Sequence, residues 1–176
     1  MEEAIKNFNT QFSWKPVVMH PEKLPALKKY ILNGMGGSHL AADLLKAIDP
    51  TIDLSVFSDY GIPEVPSERL KDSLLIASSF SGNTEEALDF AEEALKKGLP
   101  LAVIAKGGAL LAFAQEHGIP HVVLPQTNIQ PRSGLGFQML ALVALLRDKT
   151  LLKELSHDVS HLVAQAGATL SGSSPL

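Results

Sequence analysis

Residues 72–86 read DSLLIASSFSGNTEE, and the change of character half-way along this stretch decides the fold. Asp72–Ser78 is apolar except at its ends, the mark of a strand covered on both faces. Gly82 lets the chain turn, and from Thr84 to Lys97 apolar residues recur at helical spacing. Asn83 and Glu86 can form a capping box there, Asn83 accepting from an amide of the first turn and Glu86 reaching back. Lys96 and Lys97 occupy the last turn, and Gly98 supplies the stop. An apolar strand that turns at once into a helix is half of a parallel βαβ unit.

The alternation repeats outward from this point. Upstream, Tyr30–Asn33 and Leu54–Phe57 read as strands, with a helix over Leu40–Ile48 between them. Downstream, Leu101–Ala105 and His121–Leu124 flank a short helix, Gly108–His117, that Gly118 closes. An apolar helix follows from about Gly134 to Arg147, and a last one from Leu151 to Ala164. This pattern predicts an α/β fold: a doubly wound five-stranded parallel sheet in flavodoxin-like order, with right-handed crossovers. It divides the chain into an N-terminal helical segment (1–29) broken by Pro16, Pro21 and Pro25, the sheet domain (30–150), and a C-terminal helix ending in a frayed tail or linker (151–176). The apolar helix around 137–146 and the last helix offer more apolar face than one small sheet needs, which predicts pairing with another copy or domain.

Composition narrows the function classes. Of 176 residues 45% are hydrophobic and 19% charged, as in a globular domain. The net charge of -4 lacks the positive field that nucleic-acid binding requires, and aromatics at 6% are too few for base-stacking platforms. There is no cysteine, hence no disulfide or thiolate chemistry. The acidic start, MEEAIKNFNTQF, is no signal peptide, and the apolar stretch 137–146 is shorter than the ~20 residues that span a bilayer. A soluble cytoplasmic protein without membrane or nucleic-acid partners is expected.

In a parallel sheet, ligands bind beyond the carboxyl ends of the strands, and three loops there are unusual. In the first, Ser79, Ser81 and Thr84 gather at a helix N-terminus, where free amides and the helix dipole already favour an anion. One hydroxyl would serve as an ordinary cap. Three within six residues suit a phosphate held without Lys or Arg. The second loop is GMGGSH, 34–39. It misses the dinucleotide fingerprint because position 39 is His39, and misses a nucleophile elbow because position 40 is Leu40. Gly36, Gly37 and Ser38 can let a ligand press against bare backbone, or simply make a tight turn. The third is QPRSGLG, 130–136, where Arg132 opposes the dipole of the helix that follows. It either binds an anion or a developing enediolate oxygen, or is a surface residue. His39 borders the glycine loop. His117 and His121 read as surface residues, and Glu85 and Glu86 as partners of the helix dipole. His157 and His161 share a helix face, but without a third ligand or an HExxH pattern no metal is expected.

Taken together, NGMGGS, SSFSGNTEE and QPRSGLG, in this order on an α/β pattern, resemble the sugar isomerase (SIS) domain, most closely that of bifunctional phosphoglucose/phosphomannose isomerases. The resemblance covers roughly residues 30–147. It implies that Ser79, Ser81 and Thr84 bind the 6-phosphate, that Gly36, Gly37 and Ser38 lie against the sugar, and that Arg132 stabilises the enediolate formed between glucose or mannose 6-phosphate and fructose 6-phosphate. No metal or organic cofactor is implied. Such enzymes carry two lobes in about twice this length, with the catalytic Glu and the ring-opening His in the second lobe. This chain is thus expected to be one lobe, completed by a second lobe or by a homodimer partner. A module that senses a phosphosugar without chemistry is the alternative. His39, where the family has a small residue, and Phe80, often Tyr, are departures.

Overall fold

The computed structural model describes residues 8–156. Its strands are Val18–Met19 (β1), Lys29–Gly34 (β2), Asp53–Phe57 (β3), Ser73–Ser79 (β4), Leu101–Ala105 (β5) and His121–Val123 (β6). Its helices are Leu40–Ile48 (α1), Ser67–Lys71 (α2), Glu85–Lys96 (α3), Gly108–Glu116 (α4), Leu135–Leu145 (α5) and Lys149–Glu154 (α6). The sheet order is β1-β6-β5-β4-β2-β3, and β2 to β6 pair parallel. Among these parallel strands the order is the flavodoxin-like one that the alternation predicts.

The sheet has one strand more than the sequence suggests. β1 runs antiparallel beside β6, pairing Val18 with Val122 and Met19 with His121. Two residues are too few to show a period of two. Pro16 and Pro21 on either side of them suit an edge, where a missing N–H costs no ladder bond. Within residues 8–29 the expected helical segment is instead two 3₁₀ turns, Phe8–Ser13 and Pro21–Lys23, on either side of β1. The added strand also corrects the reading of His121. It is buried at 2% exposure, its Nδ1 lies 2.7 Å from the Ile119 carbonyl, and its ring is 5.9 Å from that of His20. His117 is exposed.

Both faces of the sheet are covered, so its central strands carry apolar side chains in either direction. Along β4, Leu74 and Ile76 face the core shared with Ala42 and Leu45 of α1 and Leu140 of α5. Leu75 and Ala77 face the core shared with Phe90 and Ala94 of α3 and Leu110 and Ala114 of α4. α5 accounts for the apolar surplus in the sequence. Met139–Val143 are each at most 2% exposed, enclosed by the sheet, α1, Phe12 of the N-terminal segment and Leu155. A helix apolar all round is a buried one, and here one chain does the burying. The exposed apolar stripe lies elsewhere, on α1 at Leu40, Leu44 and Ile48. Asp148 caps α6, accepting the Leu151 amide at 2.9 Å. The rest of the helix expected up to Ala164, with His157 and His161, lies outside the described residues.

Candidate functional site

Ser79 ends β4 fully buried, and its hydroxyl is engaged inside the turn. Its Oγ accepts the Gly82 amide at 3.0 Å and lies 2.7 Å from Thr84 Oγ1. Thr84 is the N-cap residue of α3, but its side chain makes no capping bond because it turns back to Ser79. The expected capping box is absent. Asn83 Oδ1 accepts instead from the Ala109 amide at 3.1 Å, and the Gly82 carbonyl accepts from Leu110 at 2.9 Å, so both serve the start of α4. The first-turn amides of α3 are left without a side-chain cap, which is the condition for anion binding. The Ser79–Thr84 bond consumes one of the pair's two hydroxyl protons. Ser81 Oγ only accepts, from Asn83 N at 3.2 Å, and so keeps its proton. Two hydroxyl protons and the uncapped amides therefore remain for a ligand. Exposed Ser81 and half-buried Thr84 offer the reachable oxygens, and Ser79 arranges them.

Backbone contact joins the other two loops to this turn. Ser38, 6% exposed, accepts the Phe80 amide on Oγ at 3.1 Å, and its carbonyl accepts from Ser78 Oγ at 3.0 Å. A Cβ on Gly37 would stand 2.9 Å from the Arg132 nitrogen, so the glycine loop and the arginine turn touch main chain to main chain. The Phe80 ring covers Gly134 where any side chain would collide with it. Gly82, at φ 78°, is pressed against the Gly107 carbonyl in the same way. Arg132 is exposed in the 3₁₀ turn Pro131–Gly134, and its guanidinium makes no hydrogen bond or ion pair with the described residues. His39 Nδ1 lies 2.6 Å from Asp43 Oδ2, which ties the ring to the first turns of α1.

Three contributors stand out in the structure that no sequence motif marks. Lys106, the first residue after β5, donates to the Thr127 carbonyl at 3.2 Å and holds its ammonium 5.1 Å from the centre of the Phe80 ring. The rim of the site thus carries a second cation besides Arg132. A lysine directly after an apolar strand was the available signal. Tyr60 donates to Glu85 Oε2 at 3.3 Å, and the neighbouring Glu86 carboxylate is the main cause raising its phenol above the usual range. Gln11 reaches the arginine turn from the N-terminal segment, donating to the Ser133 carbonyl at 2.7 Å. A separate cleft of about 580 Å³ opens at the opposite, amino-terminal end of the strands, lined by Lys28, Tyr30, Asp53, Arg147 and Asp148 among others.

The chain is 32% identical over 144 residues to the bifunctional phosphoglucose/phosphomannose isomerase of Caldicellulosiruptor bescii, a match covering 80% of this chain and 41% of that protein. This is a SIS domain. The domain is also 32% identical over 118 residues to the D-glucosamine-6-phosphate 4-epimerase of Sulfolobus acidocaldarius, covering 66% of this chain and 37% of that one. No protein-family model matches it. In three dimensions it resembles the sugar isomerase domain of the Sphaerobacter thermophilus RpiR transcription factor, with a TM-score of 0.50 at 15% identity over 93% of this chain and 95% of the other. The SIS domain described here thus spans about two-fifths of the length of the curated relatives it matches.

Proposed function

We propose that this SIS domain binds the substrate of a cytoplasmic aldose–ketose isomerase that interconverts glucose or mannose 6-phosphate with fructose 6-phosphate. One observation carries the reading: the glycine loop, the hydroxyl turn and the arginine turn form a single rim at the carboxyl end of the sheet. The 6-phosphate takes Ser81, the free proton of the Ser79–Thr84 pair and the α3 amides, each charged hydrogen bond contributing about 1.5–3 kcal/mol. The sugar lies along Gly36, Gly37 and Ser38. A base removes the C2 proton, charge gathers on the enediolate oxygens, and the proton returns at C1. Arg132, unpaired among the described residues, stabilises that charge. A second SIS lobe supplies the base. The exposed stripe of Leu40, Leu44 and Ile48 supports such a partner.

Calorimetry with fructose 6-phosphate and a coupled isomerase assay, on this chain and on a longer one carrying a second lobe, test the proposal. Binding by both with turnover by the longer chain is expected, and no binding by either refutes it. In the active assembly Arg132→Ala should lower kcat at least about tenfold with little change in KM, and a loss confined to KM contradicts the transition-state role. The likeness to a transcription factor's sugar isomerase domain supports a second reading, a sensing module, which predicts saturable binding without turnover in any assembly.

A further inference from the structure

The turn that presents Arg132 is held from outside by two buried glutamines. Gln138, 1% exposed, donates to the Pro131 carbonyl at 2.9 Å and to that of Gly134 at 3.5 Å. Gln11, 4% exposed and 122 residues from its target, donates to the Ser133 carbonyl at 2.7 Å. Its Oε1 accepts the amides of Gly136 at 3.0 Å and Phe137 at 3.4 Å, in the first turn of α5. Gly136 makes this approach possible, since a Cβ there would stand 2.8 Å from Gln11 Cβ. Capping α5 alone would need only an acceptor, which a nearby Ser, Asp or Asn provides. The donor half of Gln11 is spent on the backbone of the residue after Arg132. Surface turns are otherwise the mobile parts of a fold, and a guanidinium misplaced by about 1 Å loses much of its effect on a transition state.

We propose that Gln11 is a positioning residue, fixing Arg132 over the sugar through the Ser133 carbonyl. This rests on the reading of Arg132 given above. The test is calorimetry on the full chain with two probes. Inorganic phosphate reports on the Ser79–Thr84 turn. A five-carbon aldonic acid phosphate adds a carboxylate where the enediolate oxygens would form. Q11E at pH 8 keeps an acceptor for the α5 amides but loses the donor to Ser133, and Q11L loses both. Each is expected to bind the aldonate phosphate about tenfold more weakly, the scale of one charged hydrogen bond, with phosphate affinity changed less than about twofold. In an R132A background Q11E should change aldonate affinity by less than about twofold, because the residue acts through the arginine. Should Q11L fail to fold, Q11E with its retained cap decides. Aldonate affinity unchanged in Q11E, or an equal loss with and without Arg132, overturns the positioning role while leaving the site reading intact. R132A with undiminished aldonate binding, or a wild-type chain that takes neither probe, overturns the site reading and the inference with it.

Discussion

Ser79 and Thr84 share a hydrogen bond, yet the two hydroxyls answer to different demands. Thr84 stands half-buried at the head of α3, where its oxygen can meet a ligand. Thr84→Ala should therefore weaken fructose 6-phosphate binding about tenfold by calorimetry, at a stability cost of about 0.5 kcal/mol for the one bond it shares with Ser79. Ser79 is sealed in, and it also accepts the Gly82 amide. Ser79→Ala should cost affinity and, in addition, about 1 kcal/mol of stability, read from the same denaturation curve. A stability loss from Thr84→Ala larger than from Ser79→Ala would reverse these roles.

At the scale of elements, the loops of the site are braced by contacts between neighbouring βα units. Asn83 leaves its own helix to cap α4, and Gly82 accepts from that helix as well. Farther from the site, Arg69 of α2 grips Asp53 at the start of β3 through both carboxylate oxygens, at 2.6 and 3.2 Å. The hydrogen bond from Arg69 holds the Asp53 carboxyl below its usual range. A depressed acid adds stability above its unfolded pKa of about 4 and loses it as pH falls through the lower folded value. Arg69→Ala should thus cost about 0.5 kcal/mol near neutrality, modest because the pair is exposed, and the two stability curves should converge in acid. A difference that persists at the lowest pH would mean that the ion pair is not its source. These elements were legible to unequal degrees. The apolar runs and the helix over 84–97 announce themselves because burial on both faces and a period of 3.6 leave a local record. The gathered hydroxyls and Arg132 were visible as residue types out of keeping with their places. Asn83's change of allegiance was not, since both helices offer the same kind of amide and only packing selects between them. Gln11 was hidden for a different reason: its partners lie 122 to 126 residues away, and no window of sequence contains both.

For the whole molecule, the N-terminal segment is what the local pattern reads least well. It supplies a strand, a core phenylalanine and the glutamine behind the arginine turn, and Trp14 packs edge-on to Phe137 of α5 with centroids 5.7 Å apart. Because Trp14 is the sole tryptophan, its emission reports whether this segment stays docked. Unfolding followed by Trp14 fluorescence and by far-ultraviolet circular dichroism should give one coincident transition. An earlier fluorescence transition would show that residues 8–29 fold as a unit apart. The molecule also carries a cleft at the far end of its sheet. The cleft beside Lys28 and Arg147 sits across the sheet from the rim of loops, separated by the length of β4, about 20 Å. A compound lodging in that cleft would raise the melting temperature just as a sugar ester would, since stabilisation by mass action carries no address. Any inhibitor search by thermal shift must therefore sort its hits by displacement with excess fructose 6-phosphate before chemistry is invested in them.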